Sequence, residues 1–524
     1  MEVVAPGATG SSPATQPERT AGDASPRSLT TGAASLSSLP ARVALGLPAL
    51  LGLGHVGFVY YVALSRIGYP FELEWLEGGV LASVQEVLAG RPIFVKPSLE
   101  YVPFLYTPLY DYVGAAAAAA FGASFTTLRA LTLLCTTFVL LGLAWQQWRA
   151  GEGLGATLLA PGFFAAAFVP TATFYDVARG DVMCVALLFA GFLVVRFREG
   201  WVAALSGGVL CGLAVFTKQP AAAVGAAIGL GVLLRRTRDG VAFLAAFLVV
   251  AGGLCIAEQV RSGGWFSYYA WIVPRGHAID SALYLGFWTG DLLGTSPILT
   301  LVAACGLIAL GVAAARDAGA RIDLLFAVAL IGSSWASRLH TGGWRNVNVA
   351  AFLALSFVAA RWCGRAAAWC ARDGRWIPLG ALALVLTAHF AMLFRTPEGL
   401  IPRAADLADG ERLVELLRSE RGPVMMMENP YLAVRAGKPA TAHGVAVADL
   451  IRSAPSPQRD EFLAVLRDRL ASRHYAMIIL HSPWPALDPW YEALQEIRYE
   501  GAAFLPVNGP ENRPALIYRP KPAS

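Results

Sequence analysis

Three carboxylates fall within six residues in the stretch Phe71-Glu72-Leu73-Glu74-Trp75-Leu76-Glu77-Gly78, separated by apolar and aromatic side chains. A carboxylate held against apolar surface has its charged form destabilised, which raises its pKa and makes it a better proton acceptor near neutral pH. On a helix, Glu74 and Glu77 would share a face. The same residues also allow a plain solvated acidic loop. Further polar groups stand between apolar runs: Tyr175, Asp176, Arg179 and Asp181; Lys218 and Gln219; Arg275, His277 and Asp280; then Arg338, His340, Arg345, Asn346 and Asn348. Arg179 and Asp181 suit either a structural ion pair or a binding site. Lys218 sits in Phe216-Thr217-Lys218-Gln219-Pro220 with almost no loop around it. It is either a cation snorkelling to headgroups or one held at a membrane surface to meet a lipid phosphate. His340 and Asn346 flank Gly342-Gly343, which permits close backbone approach.

The elements that must position these groups are apolar runs. Hydrophobic residues make up 56% of the 524 and charged residues 15%, where a soluble chain carries about a quarter. Uncharged runs of membrane-spanning length recur, at 43–64, 127–147, 154–172, 181–197, 201–217, 219–234, 241–258, 292–315, 322–337, 346–363 and 376–394. The fold class expected is therefore an α-helical polytopic membrane protein of about 11 spans, followed by a C-terminal soluble α/β domain. Residues 1–39, rich in Ser, Thr, Ala, Pro and Gly, read as a disordered tail. Residues 108–121 are apolar but too short for a span and suit an interfacial or re-entrant helix. No basic patch interleaved with aromatics appears, so nucleic acid is not an expected partner. The seven cysteines lie in apolar runs or, for Cys363 and Cys370, around a basic loop at a spacing that matches no zinc pattern.

With 108–121 left out, Arg149, Arg196, Arg198, Arg235, Arg236, Arg238, Arg316, Arg321, Arg361, Arg365, Arg372 and Arg375 all fall at one side, which is then cytoplasmic. The other side receives the long loop 65–126, the loop 259–291 and everything from about 395. Charge rises in that last region, and its shortened apolar pattern reads as helices at 411–418 and 459–472 and strands at Pro423–Met427, Tyr475–Leu480 and Ala515–Tyr518. All the candidate site residues collect on this outer side, where ionisable groups at a bilayer edge mark a functional cavity.

Several short motifs resemble the multi-spanning GT-C glycosyltransferases, in particular the bacterial branch related to protein mannosyltransferases and aminoarabinose transferases. They are Glu74-Trp75-Leu76-Glu77-Gly78, then Tyr106-Thr107-Pro108-Leu109-Tyr110, Phe121-Gly122 and Arg129. Later stretches are similar too: Arg179-Gly180-Asp181, Gly342 to Asn348, and Glu428-Asn429-Pro430 through Gly437-Lys438-Pro439. The resemblance implies a bacterial inner-membrane enzyme with a cytoplasmic N-terminus and its active site on the outer face. Its donor would be a polyprenyl-phosphate sugar. An acidic residue of the first outer loop would act as base, by position Glu74, with Glu72 and Glu77 open as alternatives; the family more often has Asp there. Lys218, Arg179, Arg345, Asp181, Tyr106 and His340 would line the donor phosphate site. Relatives differ in metal use; Glu72 and Glu74 are the residues that would hold a divalent ion, and none is assigned. Sugar and acceptor are not readable. A transporter or flippase of a lipid-linked sugar would show inverted repeats and broken spans, and neither is evident. A non-catalytic membrane scaffold would leave the outer-face charges unexplained.

Overall fold

The structure is a computed structural model that describes residues 39–501 and 513–522. The tail expected over residues 1–39 lies outside the described residues except for Leu39, where the first helix begins. The helices of the membrane part are α1 Leu39–Arg66, α2 Glu77–Leu88, α3 Leu109–Phe121, α4 Phe125–Arg149, α5 Leu154–Ala166, α6 Asp181–Phe197, α7 Trp201–Val215, α8 Ala221–Arg235, α9 Thr237–Arg261, α10 Pro297–Ala314, α11 Ala318–Leu339, α12 Asn348–Arg372 and α13 Trp376–Leu393. A helix lies in every apolar run read from the sequence. Seven of them, α1, α4 and α9 to α13, are long and apolar enough to cross a membrane. α5, α7 and α8 are apolar but shorter, and α6 has 17 residues. The chain is a multi-pass membrane protein. α3, at 13 residues, is too short to cross about 30 Å of hydrocarbon.

Packing in the bundle follows small residues, because lipid supplies no hydrophobic drive between helices. A Cβ at Gly162 of α5 would stand 2.7 Å from Gly52 Cα of α1, and one at Gly208 of α7 would stand 2.3 Å from the Phe243 carbonyl of α9. α12 runs through the centre, with 83% of its apolar window buried.

The expected span 154–172 is shorter than its apolar pattern. α5 stops at Ala166, and residues 167–180 fold back as turns, with Ala172 and Thr173 in the left-handed region at φ 54 and 57. Such strain persists only where surroundings over-determine it. Here the buried Arg66 guanidinium reaches in, donating to the Thr173 carbonyl at 3.3 Å and to both oxygens of Asp176 at 2.6 and 2.7 Å. Those turns carry Arg179 to the end of the bundle.

Beyond α13 come α14 Ala404–Ser419, α15 Pro430–Arg435, α16 Gly444–Arg452 and α17 Pro457–Ala471. They pack with a four-stranded sheet of order β1-β2-β4-β3, formed by β1 Val424–Met425, β2 Met477–Leu480, β3 Tyr491–Glu496 and β4 Leu516–Pro520. β1 runs parallel to β2 and the other pairs are antiparallel, with Met425 opposite Ile478 and Ile479 opposite Ile517. Strand alternation sends Val424, Met477, Ile479 and Ile517 into the core that continues into the membrane bundle. Met425, Ile478, Leu480 and Tyr518 enter a second core with Phe94, between α2 and α3, and Phe266 and Tyr269, just after α9. The sheet is thus built into the helical part on both faces. β3 and the helices α15 and α16 are elements the sequence reading lacks.

Candidate active site

The chain has no regular structure between Ile67 and α2, yet Glu72, Glu74 and Glu77 at its end are all buried. Each is held differently. Glu77, the first residue of α2, accepts from Arg129 Nε at 3.0 Å and Nη2 at 2.6 Å, and from the Ala178 and Leu73 amides, each at 2.7 Å. Burial alone would raise its pKa, but the Arg129 charge and these four donors together hold it below the usual glutamate value. Arg129 also donates to the Tyr69 and Phe71 carbonyls at 2.7 Å. Glu77 is therefore a knot that ties α2, α4 and the 167–180 turns together, with no lone pair left for a substrate.

Glu72 points the other way. Its Oε2 accepts from Asn429 Nδ2 at 3.0 Å, and its Oε1 lies against Gly78, where a Cβ would be only 2.1 Å away. Burial pushes its pKa up to about 8, so at neutral pH it is mostly the neutral acid. Glu74 alone of the three borders open space. Both its oxygens accept from Arg179 Nη1, at 2.8 and 2.9 Å, and Oε2 accepts from the Leu76 amide at 3.0 Å. Burial raises its pKa above the ordinary value even though Arg179 pulls it down.

From Glu74 the charges run on in a chain. Arg179 Nε is 3.7 Å from Asp181 Oδ2, and Asp181 Oδ1 accepts from Lys218 Nζ at 2.5 Å and from Asn346 Nδ2 at 2.7 Å. Tyr106 presents its ring face to both cations, 4.5 Å from Lys218 Nζ and 5.6 Å from the Arg179 guanidinium carbon, an arrangement the ring quadrupole stabilises. Asp181 opens α6, so its negative charge meets the positive end of that helix.

These groups line a cavity of about 1520 Å³. One wall descends α6 through Cys184, Val185 and Leu188, roughly 10 Å below Asp181 at 1.5 Å per residue. Ala221 and Val224 of α8 and Ala329 and Ser333 of α11 continue this mostly apolar wall. The roof comes from the C-terminal sheet and helices, including Glu428, His443, Asp449, Arg452 and Trp484. Burial raises the pKa of Glu428, and pushes that of Asp449 up to about 7.

Of the residues singled out in the sequence, Glu74, Arg179, Asp181, Lys218, Tyr106 and His340 line this one cavity. His340 is partly engaged, its Nε2 3.1 Å from the Pro274 carbonyl and its ring 4.9 Å from that of His277. Glu72 and Glu77 are behind the wall. Arg345 is exposed at the start of a single 3₁₀ turn and outside the lining; the turn presents Asn346 instead. Arg275 and Arg338 line the cavity as well, the latter paired with Asp291 at 2.7 Å. Glu72 and Glu74 do not fit a shared cation, since Asn429 and Arg179 occupy them; among the described residues no three His, Cys, Asp or Glu side chains converge on a metal position. Of the roof residues, Glu428 stands in a motif stretch of the sequence, Glu428-Asn429-Pro430, while Asp449, Arg452 and Trp484 carried no signal there.

No family model and no curated protein sequence matches the chain. Solved structures do. ArnT from Cupriavidus metallidurans bound to undecaprenyl phosphate superposes with a TM-score of 0.55 at 14% identity, covering 89% of this chain and 97% of that one. The same ArnT in the apo state gives 0.52 at 14% identity, over 89% and 98%. The Archaeoglobus fulgidus oligosaccharyltransferase in the apo form gives 0.50 at 10% identity, over 84% and 69%. Both proteins are GT-C glycosyltransferases, so the likeness carried by the short motifs extends to the whole fold.

Proposed function

We propose that this chain is a membrane glycosyltransferase that moves a sugar from a polyprenyl-phosphate donor to an acceptor hydroxyl at the outer face, with inversion. The observation that carries the reading is the joining, in one cavity, of an apolar wall between α6, α8 and α11 to a buried row of Glu74, Arg179, Asp181 and Lys218. An amphiphile with an anionic head and a long apolar tail matches that sequence of surfaces. The fold shared with ArnT, one of whose structures holds undecaprenyl phosphate, is consistent with such a donor.

In this mechanism Glu74 is the general base. It takes the acceptor hydroxyl proton as that oxygen attacks the anomeric carbon, and the bond from that carbon to the lipid phosphate oxygen breaks on the opposite face. The phosphate leaves as an anion and needs no proton if cations neutralise it; Lys218 and Arg179 take that part. Tyr106 keeps both cations aimed at the cavity. Asp181, itself held by Asn346, keeps Lys218 in place between turnovers. Glu72 and Glu77 do not share the base role in this reading, because the carboxylate of neither reaches the cavity. The C-terminal region from about residue 395 then lies outside the membrane as the roof of the site, and the arginine-bearing ends of α4, α6, α8 and α12 face the cytoplasm.

The test is transfer of radiolabelled sugar from a panel of polyprenyl-phosphate donors in membranes, wild type beside Glu74→Gln. Transfer that collapses in the variant supports both the activity and the base. Undiminished transfer in the variant removes Glu74 from that role.

A further inference from the structure

The loop that carries Glu74 is irregular; its own Leu73 and Leu76 amides, Arg129 and Arg179 hold part of it. Further supports come from a region more than 350 residues away in the chain. On one side of Glu74, Asn429 Nδ2 donates to Glu72 Oε2 at 3.0 Å; on the other, His443 Nε2 stands 2.6 Å from the Trp75 carbonyl oxygen. The His443 tautomer follows from its surroundings. Its Nδ1 accepts from the Val445 amide at 3.1 Å, capping α16, so the proton is on Nε2 and donates to Trp75. Burial keeps the ring neutral, with its pKa pushed down to about 4. Asn429 is fully buried.

An independent feature of the loop suits this docking. Gly78 and Gly79 follow Glu77 at the start of α2, where glycine is a poor helix former. A Cβ on Gly79 would be 2.4 Å from the Phe104 ring and 3.2 Å from His443 Cδ2, and one on Gly78 would be 3.0 Å from Tyr431 Cβ as well as touching Glu72. Phe104 in turn packs edge-on against His443 at 5.2 Å. A side chain at either position would crowd Glu72 or Phe104 first, and then Tyr431 and His443 of the C-terminal region.

We propose that His443 and Asn429 are positioning residues that clamp the loop on both sides of Glu74, His443 through the Trp75 carbonyl and Asn429 through the Glu72 carboxylate, so that the C-terminal region sets the geometry of the base as well as roofing the cavity. This deepens the reading of Glu74 given above and rests on it for its consequence in catalysis. The positioning itself does not depend on that reading.

Two substitutions separate the clamp from the fold of α16. His443→Asn keeps an acceptor near Nδ1, a favoured helix cap, but is too short to reach Trp75. His443→Gln keeps a donor near Nε2 and loses the cap. Amide hydrogen exchange of the full chain in nanodiscs reads both. His443→Asn is expected to speed exchange in residues 72–78 and leave 444–452 protected, and His443→Gln to do the reverse. In the transfer assay, His443→Asn is expected to lower kcat on the order of 100-fold, as misplacing a catalytic group by about 1 Å can, with donor KM little changed and His443→Gln restoring most of the loss. Equal exchange of residues 72–78 in wild type and His443→Asn, or equal loop loosening by both substitutions, overturns the clamp. Selective loop loosening with no transfer by wild type or variant from any donor upholds the clamp and counts against the glycosyltransferase reading alone.

Discussion

Replacing Glu77 by Gln separates a structural carboxylate from the proposed base, Glu74. The wild-type group accepts four hydrogen bonds, two from Arg129 and one each from the Ala178 and Leu73 amides, with both charged partners fully buried. A glutamine offers one carbonyl oxygen with two lone pairs, and its NH2 would face donors. At least two of the four bonds are lost, and the Arg129 charge is left buried without a counter-charge. Breaking a buried pair on one side costs about 3–5 kcal/mol, a large part of a total stability that is commonly about 5–15 kcal/mol. Glu77→Gln should therefore reduce the yield of monodisperse protein in detergent and lower its thermal midpoint by many degrees, whereas Glu74→Gln, whose Arg179 partner still faces Asp181 and the cavity, should keep a near-wild-type midpoint and lose transfer. The pH dependence has a definite sign. Glu77 is held below its ordinary value of 4.5, so its contribution is complete above that pH and is lost as the pH falls through the depressed value. A Glu77→Gln protein with a wild-type midpoint and no transfer would refute the assignment and return Glu77 to the list of bases.

Three other outcomes follow from the geometry. Lys218→Ala should raise the KM for the lipid-phosphate donor about 10- to 100-fold, the range of a lost charge-assisted hydrogen bond, and Lys218→Arg much less; equal and negligible effects would mean that Lys218 only snorkels. Glu72, raised to about 8 by burial, favours the folded state when protonated. Wild-type stability should fall as the pH rises from about 4.5 to 8, and Glu72→Gln should flatten that slope in thermal scans across the range; an unchanged slope would deny that Glu72 is buried as the acid. Cysteines introduced at Glu500 and Thr237 should be labelled from opposite sides of the membrane, the first from outside; the reverse pattern would overturn the orientation.

The helices were legible because a long uncharged run has few fates other than a buried or lipid-facing helix. Glu74, Arg179, Asp181 and Lys218 could be picked out for the same reason: a charge at the end of such a run needs a partner. What the run length could not show is where a helix stops within it. α5 ends at Ala166 because Arg66, far off in sequence, binds the turns beyond it. Nor could spacing tell Glu74 from Glu77, since the difference lies in Arg129 arriving from α4 and Arg179 from the turns. Arg345 and Asn346 are neighbours, and only the register of one 3₁₀ turn decides which faces inward. β3 reads Tyr-Glu-Ala-Leu-Gln-Glu and is exposed along most of its length, so it has no apolar alternation to betray a strand.

The charges in the site have a consequence for how its steps are linked. Glu74, Arg179, Asp181 and Lys218 form a row of two anions and two cations, close to neutral overall, as burial requires. A phosphate entering a neutral row is only weakly drawn in, because each cation already has a carboxylate. If Glu74 takes the proton of the acceptor hydroxyl, its charge disappears and Arg179 and Lys218 are left sharing Asp181, a net positive charge, at the moment the leaving phosphate gains negative charge. Base catalysis and leaving-group stabilisation would then be one event. Glu74→Gln imitates the protonated state, so it should bind polyprenyl phosphate more tightly than wild type while failing to transfer sugar. Freeing one charge from its partner at such a site is worth on the order of tenfold in affinity, about 1.4 kcal/mol. Equilibrium binding of labelled polyprenyl phosphate to the two purified proteins measures it. Equal or weaker binding by the variant would show that Arg179 serves only to hold Glu74, and that the phosphate is met by Lys218 without it.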